Sequence, residues 1–130
     1  MTEDSENTGS FDEELRQQVT EVASQFQIFQ CEPCASAIKN FLIQRGIRGK
    51  HIKLYTGSSE DPYGNIYHEI IQKNIATNGR HEAIFLEIEG QELVFDNIHP
   101  GGIDRISWMN NLYCPIKDTG GNFQVTEIDF

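Results

Sequence analysis

The segment from His81 to Asn97, HEAIFLEIEGQELVFDN, constrains the fold more than any other stretch of the chain. Two apolar runs rich in β-formers flank Glu89-Gly90, which predicts an antiparallel hairpin. His81 opens its first strand, and Asp96-Asn97 closes its second. With a two-residue turn at Glu89-Gly90, His81 faces Ile98. Asp96 is then its diagonal neighbour on the same face, about 7–8 Å away at Cβ. With a three-residue loop, Asn97 faces His81 directly. A one-residue change of register therefore decides whether Asp96 or Asn97 orients the histidine.

Other elements follow from periodicity. Ser10 and Glu13 form a capping box, and Leu15, Val19, Val22, Ala23 and Phe26 make one apolar stripe. These predict a helix over about 11–27, preceded by a disordered acidic tail over 1–9. Pro33 suits a first helical turn, and Ala35, Ile38, Phe41 and Leu42 continue with helical spacing until Gly46. Residues 51–56 read as a strand, 57–65 as a loop, and 66–76 as either strand or helix. Residues 103–112 predict a short helix with Ile103, Ile106 and Trp108 turned inward, and 123–130 a last strand. Helices first and strands later argue for an α+β fold with an antiparallel sheet, in a single domain over 10–130.

Charge narrows the partners. The 130 residues carry a net charge of −10, and Glu3, Asp4, Glu6, Asp12, Glu13 and Glu14 put −6 of it before residue 15. Binding to phosphate backbones relies on Lys and Arg displacing counterions, so no nucleic-acid partner is expected, and no membrane partner. There is no apolar run of about 18 residues and no basic, apolar leader, so the expected address is the cytoplasm. Three cysteines without a secretory signal predict free thiols.

Cys34 is the leading nucleophile in this reading, because it falls in the opening turn of a predicted helix. A helix N-terminus carries about half a positive charge and unbonded N–H groups. It favours thiolate over thiol and can hold an oxyanion. Cys34 also shares a face with Ile38, Phe41 and Leu42, which fits inert packing equally well. Cys31, placed just before the predicted helix, is the alternative nucleophile. A cysteine nucleophile needs a base in reach and a third group to fix that base, which His81 with Asp96 or Asn97 would supply.

The segments FQCEPCASAI, NGRHEAIF and LVFDNIHPGGI, followed by Trp108, together resemble the papain-fold toxin domains of bacterial and cyanobacterial proteins over about residues 26–112. The order of Cys, His and Asp, at spacings of 47 and 15, carries the resemblance. It implies a papain-like fold, with helices packed on a small antiparallel sheet, and a Cys–His–Asp triad acting on amides. By motif position Cys34 is the nucleophile, His81 the base and Asp96 the orienter. Gln27 and Gln30 are candidates for the glutamine that such enzymes place in the oxyanion hole.

The expected activity is thiol-dependent hydrolysis of an amide in a protein or peptide, as a peptidase, deamidase or transferase. An immunity or inhibitor protein is an expected partner, and no cofactor is expected. Two other readings compete. One is a non-enzymatic acidic binding or immunity-like protein. The other is a redox protein using the Cys31-Glu-Pro-Cys34 pair. A zinc site from Cys31, Cys34, His81 and Cys114 lacks a second tight ligand pair, so no metal is expected. His51, His68 and His99 have no partner visible in sequence, and Trp108 reads as a lid or core residue.

Overall fold

The computed structural model describes residues 2–130, and the side chains of residues 11–130. The fold is α+β. Two helices come first, α1 (Thr2–Ala23) and α2 (Cys31–Gln44). Strands β1 (Lys50–Tyr55), β2 (Ile66–His68), β3 (Lys73–Ala76), β4 (Arg80–Ile88), β5 (Gln91–Phe95) and β6 (Ile103–Asp104) follow. Then come α3 (Arg105–Asn110), β7 (Leu112–Tyr113), a 3-10 turn (Pro115–Thr119) and β8 (Gln124–Asp129). α1 starts at Thr2, within the stretch expected as a disordered tail over 1–9; the side chains of residues 1–10, the Ser10 cap among them, lie outside the described residues.

The strands form two antiparallel sheets, one in the order β6-β5-β4-β1-β8 and one in the order β3-β2-β7. The ambiguous segment 66–76 is a hairpin, β2 to β3. The hairpin expected at 81–97 is β4 to β5, with Ile88 paired to Gln91 across a two-residue turn. Glu89 and Gly90 both have positive φ, 55° and 74°. Two positive φ values in succession match the right-handed twist of the flanking strands, which is why this short turn holds the register.

Strand alternation gives the large sheet two buried faces. Ile84, Leu86, Ile88, Leu93 and Phe95 meet Leu15 and Val19 of α1 and Ile38 and Leu42 of α2. On the opposite face, Ile52, Leu54, Ala83, Phe85 and Val94 pack with Trp108, Leu112 and Phe123. Burial of apolar area at roughly 25 cal/mol per Å² on both faces is the main stabilising term. β4 is central to that sheet, so its side chains are held from both sides.

Three details differ from expectation. α1 stops at Ala23, and residues 24–30 turn back towards α2, with Phe29 at φ 70°. α2 begins at Cys31, so Cys31 is its first residue and Cys34 its fourth. Pro33 costs nothing there, because the first N–H groups of a helix have no intrahelical partner. α3 is short and capped by Asp104, whose carboxylate accepts the Ser107 N–H at 3.0 Å. Trp108 is fully buried as expected, but Ile106 is 75% exposed, because six residues of helix present one narrow stripe to the core.

Candidate active site

The hairpin register places His81 at the start of β4 and Asp96 just past the end of β5, on one face. Nε2 of His81 lies 2.8 Å from Oδ2 of Asp96, with both side chains buried, at 0% and 1% exposure. Facing a carboxylate, Nε2 carries the proton, which leaves Nδ1 as the free lone pair of a neutral ring. Gly79, in the turn that leads into β4, has φ 81°, and a Cβ there would run into the carbonyl oxygen of Ser58. Only glycine lets the two loops approach so closely ahead of His81.

Four N–H donors converge on Asp96. Oδ2 accepts from His81 and from Nε1 of Trp108 at 2.8 Å. Oδ1 accepts the backbone N–H groups of Ile98 at 3.0 Å and His99 at 2.6 Å. Burial favours the neutral acid, but the bonds and charge of His81, aided by Trp108, outweigh it and hold the carboxyl at about 2. Burial likewise works against the cationic form of His81. The bond to Asp96 and the adjoining Cys31 outweigh it and lift the imidazole to about 9. Both shifts favour the charged forms, an imidazolium against a carboxylate.

Cys31 is half-buried at the first position of α2 and lies beside His81. No well-aligned hydrogen bond closes onto Nδ1 of His81 in this resting geometry. Such contacts commonly tighten only when substrate binds. The Cys34 N–H is bonded to the Gln30 carbonyl at 3.1 Å, and Pro33 has none. The unbonded donors of the first turn are therefore the N–H groups of Cys31 and Glu32.

Cys34 sits elsewhere. It is fully buried in the α1–α2 core, with Sγ 4.0 Å from the carbonyl oxygen of Ala23. Burial, reinforced by the charges of Asp96 and Cys31, pushes its thiol up to about 12. Cys114 is also buried, in the opposite core, and burial raises its thiol too. Among the described residues, no group of three or more His, Cys, Asp or Glu side chains is arranged to hold a metal ion.

Most of the remaining residues singled out in the sequence have structural partners, although Oδ1 of Asn97 is buried without one among the described residues. Asn97 points away from His81, and its Nδ2 donates to the Gln27 carbonyl at 2.7 Å, which ties the loop before α2 to the hairpin. Oε1 of Gln30 accepts the Gln27 N–H at 2.7 Å and closes the same loop. The Gln27 side chain is exposed. Nε2 of His51 lies 2.6 Å from Oε1 of Glu82. His68 and His99, unremarkable in sequence, meet each other at 2.8 Å. No sequence signal marks that pair, because His68 ends β2 and His99 lies in the turn between β5 and β6, and the two come together only through tertiary packing.

A cavity of about 340 Å³ opens beside Cys31, lined by Phe29, Glu32, Ile75, Thr77, Arg80 and Glu82 among others. A larger one, about 570 Å³, lies at the opposite end of β1 and β4 between Arg48, Phe85 and Phe130, with no cysteine or histidine in its wall. The smaller cavity is the one with a cysteine in its wall. Among the described residues, no helix is long and apolar enough to cross a membrane.

No curated protein and no solved structure matches the chain. The sequence profile described as Papain fold toxin 2 matches residues 14–113, which takes in both helices' facing stripes, Cys31, Cys34, the whole β4–β5 hairpin and Trp108. With most of its length matched and an α+β architecture to go with it, the chain belongs to the papain fold toxin 2 family.

Proposed function

We propose that this protein is a thiol-dependent amide hydrolase acting on a protein or peptide, with Cys31 as nucleophile, His81 as acid–base group and Asp96 as the group that orients it. The observation that carries this reading is the fully buried His81–Asp96 pair beside a half-exposed cysteine at the first position of α2. Cys31 is preferred to Cys34 because Cys34 faces the α1–α2 core and keeps its proton up to about 12. The redox reading would need a disulfide to Cys34, whose Sγ instead lies in the α1–α2 core against the Ala23 carbonyl.

The Cys31 thiolate attacks the amide carbonyl carbon, and the carbonyl π pair moves to oxygen. The N–H groups of Cys31 and Glu32 are placed to bind that oxyanion at the positive end of α2. The intermediate collapses, the C–N bond breaks, and the His81 imidazolium gives its proton to the leaving nitrogen. His81, now neutral, takes a proton from water, whose oxygen attacks the thioester. The carboxylic acid leaves and gives its proton to solvent, and the thiolate–imidazolium pair is restored. A peptide bond and a Gln or Asn side-chain amide both satisfy these steps. Family membership supports a toxin or effector role, and an immunity protein covering the Cys31 cavity would silence it.

The test is a peptide library incubated with wild type, Cys31→Ala, His81→Ala and Cys34→Ala proteins and read by mass spectrometry for cleaved or deamidated products. Products must vanish with Cys31→Ala and His81→Ala and persist with Cys34→Ala. Full turnover by Cys31→Ala would overturn the assignment.

A further inference from the structure

We propose that His68 and His99 are positioning residues, a singly protonated neutral imidazole pair that anchors the turn carrying Asp96, so that acid releases the turn and disarms Cys31. This rests on the reading of Asp96 as the orienter of His81.

The hydrogen bonds fix where the protons are. Nδ1 of His68 accepts the backbone N–H groups of Ile70 at 3.2 Å and Ile71 at 3.4 Å. Its lone pair is occupied, so the neutral ring carries its proton on Nε2. That Nε2 lies 2.8 Å from Nε2 of His99. One proton serves the contact, so His99 must accept there with its own Nε2 bare. Neither ring can take a second proton cheaply. On His68 it would oppose two N–H donors, and on His99 it would oppose the N–H of His68.

The pair reaches the catalytic cluster through the backbone. The His99 N–H caps Oδ1 of Asp96 at 2.6 Å, and its carbonyl accepts the Gly102 N–H at 3.1 Å. Holding the His99 ring therefore holds the donor that fixes Asp96. His68, buried on β2, gives the turn an anchor on a different sheet. The charged and titratable groups facing the pair are Asp96 and His81 from the hairpin and Glu69 from the turn after β2. Burial keeps both imidazoles below their ordinary proton affinity; the neighbouring His99 adds to this for His68, while the Asp96 charge works in the opposite direction on both rings without outweighing burial. Once His99 is protonated, it must leave His68, and as a cation beside Asp96 it competes with His81 for the carboxylate.

Two measurements on the full chain test this. Nitrogen chemical shifts of the histidine rings in the wild type at pH 7 should show His68 protonated on Nε2 only and His99 bare on Nε2. A protonated Nε2 on His99 overturns the proposal. The second measurement is the rate of Cys31 alkylation by iodoacetamide against pH. His99→Gln offers a carbonyl acceptor that does not titrate, so its acid fall-off should lie about one pH unit below that of the wild type. Coincident profiles overturn the proposal. If His81→Ala leaves the wild-type rate unchanged, the Cys31–His81 site itself fails. If His81→Ala slows it and His99→Gln does not shift it, only the present inference fails.

Discussion

Cys31 and Cys34 stand one turn apart on α2 and occupy opposite environments. Cys31 is half-exposed beside the His81 imidazole, whereas Cys34 is sealed between α1 and α2 with its sulfur towards the Ala23 carbonyl. The helix starts at Cys31 rather than just after it, and that makes the difference. The first residue of a helix projects from its end, and the fourth has already turned onto its packed face.

Alkylation of the native protein with iodoacetamide at pH 7 should therefore modify Cys31 alone. Cys34 and Cys114 are buried with raised thiols, so they should react only when the structure opens. Peptide mapping by mass spectrometry checks this. Comparable labelling of Cys34 in folded protein would contradict the burial argument.

Cys34→Ala leaves a small void between α1 and α2. It should destabilise the fold by about 1–2 kcal/mol and leave Cys31 chemistry intact. Denaturant unfolding together with the alkylation rate separates the two effects.

The His81–Asp96 pair should shape stability against pH. His81 is lifted from 6.5 to about 9, so its contribution is complete below pH 6.5 and disappears as pH rises through about 9. Asp96 is held down from 3.8 to about 2, so its contribution is complete above about pH 4 and disappears as pH falls through about 2. Stability from the pair is therefore full between roughly pH 4 and 6.5. Asp96→Asn should flatten both flanks in a urea titration series, and a variant that keeps the wild-type alkaline flank would refute the coupling.

Trp108→Phe keeps a buried ring but removes the Nε1–H that Oδ2 of Asp96 accepts. Loss of one donor to a buried charge should cost about 1.5–3 kcal/mol. The alkylation rate of Cys31 should fall with it, because the carboxylate that holds His81 is less constrained.

The turn at Glu89-Gly90 can be tested from both residues. Gly90→Ala meets no atom within 4 Å, so its cost is the positive φ alone, about 1 kcal/mol. Glu89→Asn should raise the melting temperature, because Asn tolerates φ 55° better than Glu does. A Gly90→Ala protein as stable as wild type would mean that the register is held elsewhere.

The hairpin, the α+β order, the apolar stripes of both helices and the inward Trp108 are legible in the chain because each is a local pattern. Period 2 or 3.6 says which face is buried before any partner is known. His81 and the Asp96-Asn97 choice were visible for the same reason. Even the choice follows once the turn has two residues, since register is then arithmetic. The helix start was harder, because a first turn is defined by where the preceding loop leaves off. Here that point is set by Phe29 at positive φ and by the bond from Asn97 to Gln27, neither of which has a local signature.

The amino-acid sequence alone thus determined the apolar stripes of the two long helices, the β4–β5 hairpin with its faces, and the short list of side chains that could do chemistry. Tertiary structure decided which cysteine meets His81, tied Asn97, a candidate orienter, to the loop before α2, and brought His68 to His99. The physical reason is range. Backbone preferences and hydrophobic periodicity act over a few residues, but proton affinity and reactivity depend on burial and on charges within a few ångströms, and those neighbours come from distant parts of the chain.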